Sequence, residues 1–237
     1  MQQIPRLFVE PRLSAGAEIP LSAQQGHYLQ NVLRLQPGAE LRLLDDQTGE
    51  WAAELAGSGR RQLTARLRQQ VALREQVPDL WLLAAPIRPE RFQWLAEKAT
   101  ELGVRRFAPV ISQRVNHARQ NPARLRAHMV EAAEQCERTA LPELAEARPL
   151  VELLADWPAQ RTLIFADEAG GESMAAIRPA APAAILIGPE GGFTDAERQT
   201  ILRLPQARRL TLGPRVLRAD TAAIAAIAQF QLLADNC

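Results

Sequence analysis

The spacing of apolar residues changes character part-way along the chain. In Gln62–Arg68 the apolar Leu63, Ala65 and Leu67 alternate with Thr64, Arg66 and Arg68, which is the period of a strand with one core face and one basic face. That basic face serves solvent or RNA. Arg6–Val9, Glu40–Asp45 and Glu50–Leu55 read as further short strands, separated by turn residues such as Pro37-Gly38 and Gly57-Ser58-Gly59. A helical stretch from about Ser22 to Leu33 interrupts them. Close-set strands with one helix predict a small barrel. Gln69 to Pro78 is polar and reads as a linker, so the domains are placed at 1–70 and 71–237.

After that stretch the pattern becomes alternating strand and helix. Leu80–Ala85 is a buried-type strand. Pro89 opens a helix with Phe92, Leu95, Ala96, Ala99 and Leu102 at steps of three and four, ended by Gly103. Phe107–Ile111 is a strand whose Pro109 argues for an edge or a bulge. Pro122 opens another helix, running to about Cys136. Strands follow at Thr162–Ala166, Ala183–Ile187 and Leu210–Leu212. Thr194 to Glu197 forms a capping box for a helix, and the last helix spans about Asp220 to Leu233. This alternation predicts an α/β domain with a mostly parallel sheet covered on both faces.

Composition narrows the setting. Apolar residues make up 47% of the 237 positions, enough for a normal core. No window approaches the roughly 18 uncharged apolar residues of a membrane span, and the N-terminus has no signal-peptide pattern. Cys136 and Cys237 are the two cysteines, which predicts a reducing, cytoplasmic setting without a disulfide framework. Cysteines and histidines lie too scattered to predict a metal site. The net charge of +1 is uninformative, whereas its distribution is not. Between Glu101 and Glu131 there is no acidic residue, while Arg105, Arg106, Arg114, Arg119, Arg124 and Arg126 fall in that gap. Arginine forks suit phosphate, so this stretch is a candidate nucleic-acid surface. Lys98 is the sole lysine, a skew that codon usage also explains.

Two segments carry candidate chemistry, because ligands of open α/β sheets sit at the carboxyl ends of strands. Gly188-Pro-Glu-Gly-Gly-Phe193 follows one strand, with three glycines that let a backbone approach a ligand closely. It is neither a Walker loop nor a dinucleotide turn. Gly213-Pro-Arg-Val-Leu-Arg-Ala-Asp-Thr-Ala222 follows another, with Arg215 and Arg218 beside a helix start that Asp220 or Thr221 is placed to cap. Taken singly, the glycine turn and the two arginines are also what an ordinary surface provides.

Together these segments resemble the RsmE family, the ribosomal 16S RNA uridine-N3 methyltransferases of the SPOUT superfamily. Leu-Ile-Gly-Pro-Glu-Gly-Gly-Phe is followed about 20 residues on by Leu-Gly-x-Arg-x-Leu-Arg-x-Asp-Thr-Ala. His27 with Val32-Leu33-Arg34, Glu97–Val104, and Glu131–Arg138 with Pro142 match in order, so the resemblance spans nearly the whole chain. Departures are Asp220 where glutamate is usual, Arg88 near a usual lysine, and Val115 after Arg114. The resemblance implies a PUA-like β-barrel followed by a SPOUT α/β domain with a deep C-terminal trefoil knot. It implies S-adenosyl-L-methionine as cofactor, 16S ribosomal RNA of the small subunit as substrate, and a homodimer.

Carried over residue by residue, the cofactor contacts fall on Leu186, Ile187, Gly188, Pro189, Gly191 and Gly192, and on Leu212, Gly213, Val216 and Leu217. RNA contacts are expected at Arg34, Arg66, Arg68, Arg88, Lys98, Arg114 and Arg215. Glu97 and Lys98 project about 100° apart on a helix, so at most one faces the site. Methylation at N3 requires an exposed Watson–Crick edge and stabilisation of the anion left by the N3 proton. Arg218 is the first candidate for that cation, Arg138 the second, and Glu190 the candidate base. A non-catalytic RNA-binding protein that kept the fold is the rival reading, and binding of S-adenosylmethionine separates the two.

Overall fold

The computed structural model describes residues 4–59 and 62–234, without the side chains of residues 58, 59 and 62. The chain divides into two compact units, residues 1–76 with 133–141, and residues 77–132 with 142–237. The first unit thus extends beyond residue 70 and takes in a later segment that the sequence reading left in the second.

In the first unit, β1 (Arg6–Phe8), β2 (Glu18–Pro20), β3 (Glu40–Asp45), β4 (Gly49–Gly59) and β5 (Gln62–Leu73) form one sheet in the order β1-β3-β4-β5-β2. β1 runs parallel to β3, and the other pairs are antiparallel. The alternation in β5 is as expected: Leu63, Ala65 and Leu67 are buried and Arg66 and Arg68 exposed. The polar stretch read as a linker is half strand, because Gln69, Gln70 and Leu73 pair with Ala52, Trp51 and Gly49. Its side chains are largely exposed, so no apolar period marks it; the β4 ladder holds it through the backbone. Helix α1 (Ala23–His27) starts on a capping box between Ser22 and Gln25 and continues as a π-helical turn, Tyr28–Val32.

In the second unit, strands β6 (Leu80–Ala84), β7 (Arg106–Ile111), β8 (Glu143–Leu144), β10 (Thr162–Ala166), β11 (Ala183–Ile187) and β12 (Ala207–Leu210) lie in the order β12-β10-β11-β6-β7-β8, with β9 (Arg148–Pro149) also on β7. Every pairing is parallel. Pro109 falls between the positions that β8 and β9 pair, where the outer ladder of β7 is interrupted anyway. β12 ends where Leu210–Leu212 was expected to begin: Arg208 and Arg209 disguise a strand whose backbone pairs with β10.

The helices are α2 (Pro89–Glu101), α3 (Pro122–Gln135), α4 (Leu150–Ala155), α5 (Met174–Ile177), α6 (Asp195–Leu202) and α7 (Ala219–Ala234). Strand alternation in β11 shows both faces covered. Ala183, Ile185 and Ile187 pack with Phe92 and Leu95 of α2 and Ile227 and Phe230 of α7. Ala184 and Leu186 pack with Leu150 and Leu154 of α4 and Ile201 of α6. Fully burying a leucine, isoleucine or phenylalanine here contributes about 1.5–3 kcal/mol. Because all strands are parallel and β10 lies between β12 and β11, three carboxyl-terminal strand ends stand side by side. No helix among the described residues is long and apolar enough to cross a membrane.

Candidate cofactor-binding site

Those three strand ends wall a cavity of about 500 Å³, within the range of about 300–1,000 Å³ usual for small-molecule sites. Its lining comes from Phe165–Ala169 at the end of β10, Ile187–Glu190 with Gly192 and Phe193 at the end of β11, and Leu210–Ala219 at the end of β12, with Arg114 from beyond β7 and Asp195 and Arg198 from α6. The two segments singled out in the sequence therefore meet, 20 residues apart in the chain but adjacent through β10.

The glycines of the β11 turn differ in their reasons. Gly192 has φ +66° and its N–H donates to the Pro189 carbonyl at 2.9 Å, closing a tight turn in a conformation that β-branched residues avoid. A Cβ on Gly188 would lie 3.0 Å from the Phe193 ring. Gly191 has ordinary room for a Cβ and does not line the cavity; its carbonyl instead accepts from Arg114 Nη1 at 2.9 Å. The predicted capping box holds the turn's far end, with Thr194 N–H donating to Glu197 Oε2 at 2.9 Å. The other oxygen of the buried Glu197 accepts from Gln113 N–H at 2.7 Å. One carboxylate thus ties the segment carrying Arg114 to the glycine turn.

After β12, Gly213 has φ +105°, and Arg215, Val216 and Arg218 are exposed at the cavity, Val216 to 82%. The Arg218 carbonyl accepts the first helical bond of α7, from Ala222 N–H at 2.8 Å. Asp220 lies inside the helix rather than at its cap. It is buried, accepts from Thr221 N–H at 2.8 Å, and pairs with Arg91 of α2. This fixes the α7 start, and with it the Arg218 backbone, against α2.

The electrostatic anchor of the cavity was not legible in the sequence. Asp167, at the end of β10, is 6% exposed. Its Oδ2 accepts from Arg198 Nη2 and Arg209 Nε, each at 2.8 Å, and its Oδ1 from Ala169 N–H at 3.0 Å. Burial opposes its charge, but the Arg198, Ala169 and Arg209 bonds outweigh this and hold the carboxyl below its ordinary range. An acid at a strand end was the available signal, obscured because the partners sit 31 and 42 residues away.

Of the expected cofactor contacts, Ile187, Gly188, Pro189, Gly192, Leu212, Gly213, Val216 and Leu217 line the cavity, as do Glu190, Arg114, Arg215 and Arg218. Leu186 does not; it is fully buried on the α4–α6 face. Arg138 is not among the residues that line the cavity. It belongs to the first unit, buried and paired with Glu75 at 3.1 Å. Burial lowers its pKa against the opposing pull of Glu75. Arg88 is exposed at the start of α2. Lys98 bridges Glu97 and Glu101 at 2.7 Å each, and these carboxylates raise its pKa. In the first unit, Arg66 pairs with Glu18 and Arg68 with Glu54, while Arg34 is exposed with φ +55°.

A parallel sheet with a cavity at three carboxyl-terminal strand ends, on a chain that also carries a separate small β unit, has counterparts among known proteins. Residues 74–231 match the family described as RNA methyltransferase domain, and residues 21–68 match the RNA methyltransferase PUA domain. The chain is thus an α/β protein of the RNA methyltransferase class with a PUA-like N-terminal domain. Within that class it belongs to the ribosomal RNA small subunit methyltransferase E family. It is 31% identical to the member from Rickettsia conorii over 98% of this chain and 97% of that protein. The member from Synechocystis is 32% identical, over 98% and 78% respectively. The solved structure of the Neisseria gonorrhoeae enzyme, bound to S-adenosyl methionine, superposes with a TM-score of 0.87 at 28% identity, covering 98% of each chain.

Proposed function

We propose that this protein transfers a methyl group from S-adenosylmethionine to N3 of a uridine in the 16S ribosomal RNA of the small subunit, in the cytoplasm. The observation that carries this is the single cavity walled by the β10, β11 and β12 ends, in a family whose named members act on small-subunit ribosomal RNA. The cavity fits the cofactor in chemistry. Ile187, Leu212 and Leu217 offer an apolar seat for an adenine ring, and the Gly188–Gly192 and Leu212–Gly213 turns bring main-chain groups close. Glu168, Glu190 and Asp195 supply negative charge for a cationic ligand.

When bound, S-adenosylmethionine supplies an electrophilic methyl carbon on a sulfonium. The protein's part is to orient, exclude water and stabilise charge. Arg218, fixed at the α7 start, is our candidate to neutralise the uridine anion at O2 or O4. Glu190 is the candidate acceptor of the N3 proton. Arg138, paired with Glu75 in the first unit, is the second candidate for that cation. Arg114 and Arg215 at the cavity, with Arg34, Arg66, Arg68, Arg88 and Lys98 elsewhere, are the candidate RNA contacts.

We further infer a trefoil knot and a homodimer. Insertion of β11 between β6 and β10, with α7 returning to pack on α2, is compatible with a threaded C-terminal segment. The test of the function is mass-spectrometric mapping of 16S ribosomal RNA from a strain lacking this gene. Loss of one N3-methylated uridine, restored by the gene but not by an Arg218→Ala variant, is expected. An unchanged modification pattern contradicts the proposal.

A further inference from the structure

The first unit carries a cleft of its own, about 570 Å³, bounded by the Arg12–Ala15 segment on one side and the Gln47–Thr48 turn on the other. Both walls hang on one side chain. Asp45, 1% exposed, accepts from Leu13 N–H at 2.7 Å through Oδ2, and from the N–H groups of Gln47, Thr48 and Gly49 through Oδ1. Its carboxyl is held below the ordinary range: burial acts the other way, but the backbone donors, Thr48 and Leu13 first, prevail. Trp51, nearly buried, bonds Thr48 Oγ1 through its indole N–H at 2.9 Å and forms the floor. The cleft is therefore shaped before any ligand arrives.

Its lining chemistry is specific. It contains two arginines and no carboxylate. Among the described residues the exposed Arg12 guanidinium has no ion-pair partner, and the exposed Gln47 side chain has no hydrogen bond. Arg74 is oriented by Asp46, Nη2 to Oδ1 at 3.0 Å. Leu73, 76% exposed, presents an apolar surface beside them. A lone anion would need only the arginines. Cation, free amide and exposed apolar surface within one cleft match a phosphate, a base edge and a base face.

We propose that this cleft binds one unstacked nucleotide of single-stranded RNA, its phosphate at Arg12, its base against Leu73 and its edge at the Gln47 amide. The choice of RNA as the polymer rests on the function proposed above. Such a site gives the first unit a reading role separate from the basic face of β5.

The test is fluorescence anisotropy of a labelled single-stranded RNA dodecamer with the full-length protein, without cofactor, across a salt series. Arg12→Ala is expected to weaken binding about 5-fold and to reduce the slope of log K against log salt by about 0.7, one phosphate contact. Leu73→Ala and Gln47→Ala are each expected to weaken binding about 3-fold with the slope unchanged. All three side chains are exposed, so the unfolding midpoint should stay put. Unaltered affinity in all three variants overturns the proposal, and an effect confined to Arg12→Ala overturns it in favour of a bare phosphate contact. Methyl transfer to 16S ribosomal RNA by the unaltered protein is followed in parallel. Its absence, with the dodecamer effects intact, contradicts the methyltransferase reading and leaves the cleft standing.

Discussion

Each unit holds a buried aspartate beside a cavity, and the two carboxylates are satisfied in opposite ways. Asp45 gathers backbone N–H groups from two chain segments, so it fixes where the chain runs. Asp167 gathers two guanidiniums, so it fixes where side chains point while the surrounding turns are shaped by glycine. The first cavity is consequently walled by side chains on a pinned backbone, whereas the second owes its outline to glycine turns at the strand ends. A side-chain wall is tuned by substitution at its surface. A wall outlined by turns yields when the turn cannot form, so a larger effect is expected at Gly192 than at its polar neighbour Asp167.

Four substitutions can break or sharpen this contrast. Asp45→Ala should have the largest effect, on the order of 3 kcal/mol of stability by chemical denaturation, because it strands several buried donors at once. It should leave S-adenosylmethionine affinity of the folded protein unchanged. Gly192→Val should do the reverse: at φ +66° a β-branched residue forces the turn open, and cofactor affinity should fall roughly 100-fold by calorimetry with a smaller change in midpoint. Asp167→Asn should come next, with cofactor affinity down about 10-fold, since Arg198 and Arg209 lose their shared counter-charge at the cavity wall. Arg68→Ala, which removes an exposed pair with Glu54, should shift stability by less than about 0.5 kcal/mol.

The pH dependence follows from the same pair of acids. Both are held below their ordinary value of about 3.9 in the folded state, so each contributes stability above that value. The contribution is lost as pH falls through the depressed folded-state values. Acid titration of unfolding free energy should decline below about pH 4, and Asp45→Asn should flatten that decline more than Arg68→Ala does.

What the sequence disclosed divides along the same line. Apolar periodicity located both sheets and the long helices, and the glycine turn and Gly213–Ala222 were legible because glycine, proline and arginine clusters mark strand ends. The fold places them beside one another only through β10, which intervenes in space but not in the motif. Asp167 escaped notice because its partners Arg198 and Arg209 lie on α6 and β12, and no spacing rule links them. Asp45 escaped for a similar reason: apart from the Thr48 hydroxyl its donors are backbone groups, which leave no trace in residue identity. Gln69–Leu73 reads as a linker because its side chains, Val71 and Leu73 included, are exposed without a core-facing period, while its backbone pairs with β4. The burial of Arg138 beside Glu75 is likewise a property of the fold that no spacing in the sequence announces.

The central claim is that three strand ends of the second unit hold the methyl donor largely by main-chain atoms. Hydrogen–deuterium exchange with and without S-adenosylmethionine tests it most directly. Slower exchange is expected in residues 167–169, 188–193 and 211–218 together, with the first unit unaffected. Protection confined to one of these segments, or found instead around residues 12–15 and 47–49, would contradict it.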